Sequence, residues 1–302
     1  LAIGIDVGGT NLKFGLVNKN GKILKEIILP TLGHLGKGMV LKRVIEGIKE
    51  ISCGTKKTRL LGLGLGTPGL VDTVKGVVRG HTNIPGWTNI PLKKILEKEI
   101  GLPAFVDNDV NVMTLAEWAC GGAKGAQNVV CLTLGTGVGG GIIIEGKLYH
   151  GTSLSAGEIG HIPINFKGPK CMCGNIGCLE RYIGNRYIAD MAKKYFKKEK
   201  RSMLTPELLA KRAKHGDRLA LKVWDEVAEC LAAALSGIVN FVNPEKIIIG
   251  GGVSNAGNVL FTPLRKKLRE KAMPIPAKDV KILKAALGAR AGIIGAAMLV
   301  FL

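Results

Sequence analysis

The chain alternates short apolar runs with longer stretches of helical periodicity. Ala2–Val7 and Leu12–Val17 read as buried strands, and Gly8-Gly9-Thr10 between them makes the turn of a hairpin. Asn20-Gly21, a strong two-residue turn signal, leads into a third strand over Lys22–Leu29. Residues 37–52 carry Met39, Val40, Val44, Ile48 and Ile51 on one side, which predicts an amphipathic helix. Leu60–Leu65 is a buried strand running into Gly66-Thr67-Pro68-Gly69. Leu92–Ile100 is a helix stopped by Gly101, and Ala104–Asp107 is a short strand. Helix resumes from Asp109 to about Ala119, with Asn108 or Asp109 as its N-cap.

The second half restarts the pattern. Val129–Leu134, a glycine turn and Gly141–Glu145 form another strand–glycine–strand hairpin. Helices are predicted at about 184–199, 205–214 and 217–242, the last closed by Asn243-Pro244. Lys246–Ile249 is a strand ending in Gly250-Gly251-Gly252. A helix over about 257–271, a strand at Val280–Leu283 and a final helix from Gly288 complete the chain. Ile3–Thr10 and Leu132–Gly140 share one plan: a buried strand, a glycine turn carrying a threonine, and a second strand. Two occurrences so far apart argue for two related α/β domains facing each other across a cleft that holds a nucleotide. The expected division is a smaller domain over 1–112, with the terminal helix (about 288–302) packing back on it, and a larger one over 113–287.

Composition narrows the class. The 302 residues are 46% apolar and 22% charged, as in a globular protein, and the apolar run Ile293–Leu302 is about half a membrane span. No secretory leader pattern precedes the first strand, so the expected location is the cytoplasm, with no membrane partner. Seven cysteines, three of them crowded together, do not resemble a secreted disulfide framework. Lysine and arginine exceed acidic residues by 20 and concentrate in Lys193–Arg201 and Arg265–Lys271. No nucleic-acid recognition motif or aromatic interleaving accompanies them, so solvated helix faces are the reading, and no nucleic-acid partner is expected.

Three clusters carry candidate chemistry. Gly135-x-Gly137-x-x-Gly140 matches the dinucleotide fingerprint, but that motif needs a helix immediately after it, and Ile142-Ile143-Ile144 reads as a strand. What remains is a hairpin turn whose backbone N–H groups can approach phosphates; a plain turn is the alternative. In the first hairpin Asp6 suits a water-mediated Mg²⁺ ion, while Thr10 and Lys13 suit phosphate oxygens. Asp107-Asn108-Asp109 lies at a strand-to-helix corner. Asp109 suits a general base for an alcohol and Asn108 a hydroxyl partner, although a simple helix cap explains the triplet equally well. Finally, Gly157-Glu158-Ile159-Gly160-His161 is followed by Cys171-Met172-Cys173-Gly174-Asn175-Ile176-Gly177-Cys178-Leu179-Glu180. His161, Cys171, Cys173 and Cys178 are a ligand set for a closed, structural zinc ion, with three reduced cysteines in a loop as the alternative.

Taken together and in this order, Asp6-x-Gly8-Gly9-Thr10, Asp107-Asn108-Asp109, Leu134–Gly141, Gly157–His161 and the cysteine knuckle resemble the ROK sugar kinases, a family that also includes repressors. The resemblance spans the whole chain. It implies the two-domain actin-like ATPase fold of hexokinases, in the α/β class, with ATP and Mg²⁺ in the cleft and Zn²⁺ at the knuckle. It implies Asp109 as catalytic base and Asn108, Asp109, Glu158, His161 and Glu180 as sugar contacts, His161 serving zinc with its other ring nitrogen. The nucleotide contacts it implies are Asp6, Gly8, Gly9, Thr10, Asn11 and Lys13, then Gly135, Thr136, Gly137 and Gly139, with Gly251 and Gly252 against the adenosine. Asn83-Ile84-Pro85-Gly86-Trp87 and the intact Glu158 and Glu180 look most like glucokinase. N-acetylmannosamine kinase, fructokinase and allose kinase share the motifs, and a non-catalytic sugar sensor is the reading from another class. A repressor would carry a helix-turn-helix before the first phosphate loop; only five residues precede Asp6, so a kinase is expected. Family members are commonly homodimers or homotetramers.

Overall fold

A computed structural model describes residues 1–80 and 84–302. The first half of the chain forms β1 (Ala2–Val7), β2 (Asn11–Val17), β3 (Ile23–Pro30), α1 (Lys37–Ser52), β4 (Gly62–Thr67), β5 (Leu70–Asp72), β6 (Val77–Gly80), α2 (Leu92–Ile100), β7 (Ala104–Asn108) and α3 (Asp109–Cys120). The second half forms β8 (Val129–Leu134), β9 (Val138–Ile144), β10 (Lys147–Leu148), α4 (Glu180–Ile183), α5 (Asn185–Lys193), α6 (Pro206–Lys214), α7 (Arg218–Val242), β11 (Lys246–Gly250), α8 (Asn258–Lys271), α9 (Pro274–Asp279), β12 (Lys281–Lys284) and α10 (Ala291–Met298).

The chain divides into two compact units. One comprises Leu1–Gly125, Leu148–Ala156 and Ala286–Leu302; the other comprises Ala126–Lys147 and Gly157–Ala285. The boundary expected after residue 112 thus falls inside α3, and the short stretch Leu148–Ala156 belongs with the first unit. The reason is packing: α3 lies against α10 and β4, so it cannot be divided between two cores.

The first unit is built on a sheet of order β3-β2-β1-β4-β7. β1 pairs antiparallel with β2 and parallel with β4, and β4 pairs parallel with β7. The apolar runs of β1 and β4 are buried, as centre strands covered on both faces require. The edge strand β3 shows lysine and glutamate to solvent, which discourages further strand pairing. Ile3, Ile5, Phe14, Val44, Ile48, Leu63, Leu65 and Trp87 lie in its core. α10 packs close against the sheet. A Cβ on Gly64 would strike the Ala296 carbonyl, and one on Gly295 would strike that of Val112, so these glycines set the approach distance.

The second unit repeats the scheme with order β10-β9-β8-β11-β12. β8 is antiparallel to β9 and parallel to β11, and β11 is parallel to β12. α7 supplies much of its core through Trp224, Leu231, Leu235 and Val239. Asp217 caps this helix by accepting from the Leu219 and Ala220 amides, and Asn243, in the left-handed region just before Pro244, ends it as expected.

Some elements differ from the sequence pattern. The helix expected to reach about residue 199 stops at Lys193, because the Lys193 ammonium turns back to the Lys197 and Glu199 carbonyls while Phe196 buries beneath the turn. β9 starts at Val138, three residues before the expected Gly141, so Val138, Gly139 and Gly140 are strand residues and not turn. The small strands β5, β6 and β10 and the Pro-initiated α9 carry too few residues to show a period. Several basic side chains pair within the fold, Arg201 with Asp190, Arg212 with Glu199, and Lys267 with Asp225 and Glu229. Among the described residues no helix is long and apolar enough to cross a membrane.

Candidate active site and metal centre

The Asp107-Asn108-Asp109 corner is built where β7 hands over to α3. Asn108 is the N-cap: its side-chain oxygen accepts from the Val110 amide at 2.8 Å and the Asn111 amide at 3.3 Å. Its amide nitrogen uses one of its two N–H groups to donate to the Gly69 carbonyl at 3.1 Å. Nearby, the buried Trp87 indole donates to Thr67 Oγ1 at 2.9 Å, anchoring Thr67-Pro68-Gly69; Asn83 of the same motif lies outside the described residues. Asp109 is the first residue of α3, half-buried. Burial, and after it the charge of Asp6, push its carboxyl up to about 6. A carboxylate tuned toward neutrality suits a general base. The cap reading and the base reading therefore fall on neighbouring residues.

The first glycine hairpin lies in the same unit. Burial raises Asp6, opposed by Lys13, whose ammonium stands 3.4 Å from the carboxylate and also donates to the Ala289 carbonyl. The turn is closed by the Gly8 amide donating to the Asn11 carbonyl at 3.0 Å. Thr31, fully buried, braces it from behind: its hydroxyl donates to the Gly8 carbonyl at 2.6 Å and its amide to the Thr10 carbonyl at 2.9 Å. Sequence reading did not single out Thr31; a threonine at a strand end carries no local signal.

The second hairpin turn spans Gly135-Thr136-Gly137. The Gly135 amide donates to the Gly137 carbonyl at 3.0 Å, and the Asn185 amide at the start of α5 donates to the Gly135 carbonyl at 2.8 Å. Glu180 reaches the loop as well, Oε2 accepting from the Val138 amide at 2.9 Å. A Cβ on Gly140 would lie 2.5 Å from the Gly157 carbonyl, so this glycine lets the strand carrying Glu158 lie against β9. Gly9 and Gly135 are different. Neither takes a positive φ, and among the described residues a Cβ on either would meet nothing within 4 Å. The fold does not need glycine at these two places, which leaves open space over the backbone amides.

Gly251, with φ 83°, packs its backbone on Leu134, as a side chain there could not. Beside Gly252 a cavity of about 220 Å³ is lined by Pro206, Glu207, Ala210, Lys211, Lys214, Val253 and Asn255. Lys211 and Lys214 share this wall with Glu207, Asn255 and apolar side chains, a mixture that suits a nucleoside.

The four proposed metal ligands come together. One donor atom from each of His161, Cys171, Cys173 and Cys178 lies within 4.8 Å of all the others. Cys171 Sγ is 3.7 Å from His161 Nδ1, and Cys173 Sγ is 3.6 Å from Cys178 Sγ. A tetrahedral zinc ion with sulfur at about 2.3 Å and nitrogen at about 2.0 Å spaces its donors by roughly 3.5–3.8 Å. The donor set therefore fits zinc. Burial and the neighbouring thiols push Cys178 up to about 12, and a bound cation would favour its thiolate. With Nδ1 facing the thiols, His161 Nε2 points to the other side, 3.9 Å from Glu158 Oε2.

Sequence reading also missed His150. Its Nε2 lies 2.7 Å from Oδ2 of the buried Asp107, and this hydrogen bond raises the imidazole above its usual range.

Two α/β units, each a mixed five-stranded sheet with a glycine hairpin at its centre, define the actin-like ATPase fold. The chain belongs to the ROK family, whose model matches residues 2–301. It is 39% identical over 308 residues to a glucokinase of Thermotoga maritima, covering 99% of this chain and 96% of that one. It is 32% identical to a xylose repressor of Caldicellulosiruptor bescii, covering 97% of this chain and 76% of the repressor. A ROK glucokinase of Streptomyces griseus, solved in complex with glucose and AMPPNP, superposes with a TM-score of 0.82 at 31% identity, covering 99% and 98% of the two chains.

Proposed function

We propose that the protein is an ATP-dependent hexose kinase that phosphorylates the 6-hydroxyl of glucose. The observation that carries this reading is Asp109 at the Asn108-capped start of α3, in one unit with Asp6 of the first glycine hairpin, where burial and then the Asp6 charge push its carboxyl up to about 6. A base and a nucleotide-side carboxylate that feel each other's charge are what alcohol phosphorylation requires. Asp109 takes the proton as the sugar O6–P bond forms and the bond from the γ-phosphorus to the bridging oxygen of ADP breaks. General-base help of this kind contributes about 10²–10⁴-fold. Bound Mg²⁺ would neutralise phosphate charge, with Asp6 holding it through water. Gly9 and Gly135 leave space for phosphate oxygens over their hairpins, and the cavity beside Gly252 takes the adenosine. Asn108, Glu158, His161 and Glu180 hold sugar hydroxyls.

Zinc held by His161, Cys171, Cys173 and Cys178 would be structural, its four positions filled by protein. It would fix the segment between Glu158 and Glu180. Metal analysis of protein purified without chelator should give one equivalent; a value well below that removes zinc from the reading.

Glucose is favoured because the glucokinases similar to this chain, at 38–39% identity, match it over nearly their full length. A coupled ADP-release assay over hexoses and N-acetylhexosamines tests both activity and substrate. Turnover should be fastest with glucose; preference for N-acetylmannosamine, fructose or allose would replace the substrate. Similarity to a xylose repressor supports a second reading, a sugar sensor. Sugar binding without ADP release would establish that one.

A further inference from the structure

Asp107 is 2% exposed, and among the described residues three groups meet its carboxylate. Oδ1 accepts from the Asn108 amide at 2.7 Å and from Asn111 Nδ2 at 2.8 Å; Oδ2 faces His150 Nε2 at 2.7 Å. The first two contacts grip the residue before Asp109 and the one two after it. Asp107 therefore sets the direction of the first turn of α3. A buried carboxylate keeps such a position only while its hydrogen bonds are complete. His150 supplies the contact to Oδ2 and is, among the hydrogen bonds and ion pairs described, the one titratable partner of this carboxylate.

His150 also organises its own loop. Its carbonyl accepts from the Ala156 amide at 2.9 Å, and Leu154, in the left-handed region at φ 60°, donates to the Gly151 carbonyl. The closed loop ends at Ala156, one residue before Gly157-Glu158. One side chain thus joins the carboxylate under the catalytic corner to the loop from which the Glu158 segment departs.

We infer that His150 is a positioning residue for phosphoryl transfer, holding Asp107 so that Asn108 and Asp109 keep their orientation at the start of α3. This rests on the kinase reading of Asp109. The imidazole itself does not touch a reacting atom in this scheme. It acts through Asp107, whose remaining partners among the described residues are a backbone amide and a neutral side chain.

His150→Ala and His150→Gln test it, since glutamine can donate to Asp107 Oδ2 from a similar reach. The alanine variant should lower kcat on glucose by about 10–100-fold, as loss of a hydrogen bond to a buried charge implies. The KM for ATP should stay within about twofold, because the glycine hairpins are untouched. His150→Gln should recover most of kcat. Alongside, hydrogen–deuterium exchange over residues 105–115 should quicken in His150→Ala and return toward wild type in His150→Gln, with melting temperatures identifying any global unfolding. Full kcat in His150→Ala overturns the inference, as does a glutamine variant that folds and is no better than alanine. If the wild-type protein phosphorylates no hexose, the kinase reading fails. Exchange then still decides the structural claim: unchanged protection of residues 105–115 in both variants overturns it.

Discussion

The β1–β2 and β8–β9 hairpins occupy the same place in their sheets, each led by a central strand that runs antiparallel to its hairpin partner and parallel to its other neighbour. Their chemistry differs. The first hairpin has ionisable groups of its own, Asp6 on β1 and Lys13 on β2, and its turn is braced by the neutral Thr31. The second has none within Gly135–Gly137 and is held from outside by the Glu180 carboxylate on the Val138 amide. The same backbone device is thus equipped twice, once with side chains in the hairpin and once with a side chain arriving from a distant segment. A shared architecture provides backbone amides; what each site does depends on which charges are brought to it.

The comparison is broken most severely at the charge next to the first hairpin. Asp109→Asn should lower kcat by about 10²–10⁴-fold, measured by ADP release. The same residue predicts pH behaviour. Its carboxyl titrates near 6, and only the ionised form accepts a proton. In the wild type, kcat/KM should therefore be level above that pH and fall about tenfold per pH unit below it. Stability runs the other way: the native state binds the proton more tightly than the unfolded chain, so stability drops as pH rises from about 4 to 6. Asp109→Asn should then raise the melting temperature at pH 7 while abolishing most activity.

The two braces come next. Glu180→Ala removes the pin on Val138 and a proposed sugar contact together, and should lower kcat/KM for glucose by about 10²-fold and raise KM for ATP as well. Thr31→Val removes one neutral hydrogen bond of about 1 kcal/mol and should raise KM for ATP about fivefold, leaving KM for glucose unchanged. Equal effects on the two substrates in both variants would erase the distinction between the hairpins.

The finest test uses the glycines. Gly9→Ala and Gly135→Ala enter open space and should keep the wild-type melting temperature, whereas Gly140→Ala, facing the Gly157 carbonyl at 2.5 Å, should lower it. If Gly9 and Gly135 are kept open for phosphate, those two alanines should raise KM for ATP by about tenfold in a stable protein.

Much of this was readable in order along the chain. The strands of both hairpins, the Asn108 cap and the Asn243 stop are local patterns, in which hydrophobic period and capping chemistry act within a few residues. The set of one histidine and three cysteines was legible because ligand type limits the chemistry, and the four donor atoms do come within 4.8 Å of one another. The role of the glycine run was less accessible. Gly139 and Gly140 looked like turn, but the chain keeps them in β9, where Gly140 makes room for a segment 17 residues on.

The amino-acid sequence by itself determined the paired strand–glycine–strand plan, the ligand set of the knuckle and the acidic corner at Asp107–Asp109, because each is a property of neighbouring residues. Only the tertiary structure decided that Glu180 pins Val138 across 42 positions, that His150 meets Asp107 across 43, and that Leu148–Ala156 belongs with the first unit. The physical reason is that a hydrogen bond or a close packing contact constrains two distant positions at once, and neither position alone carries a pattern that names the other.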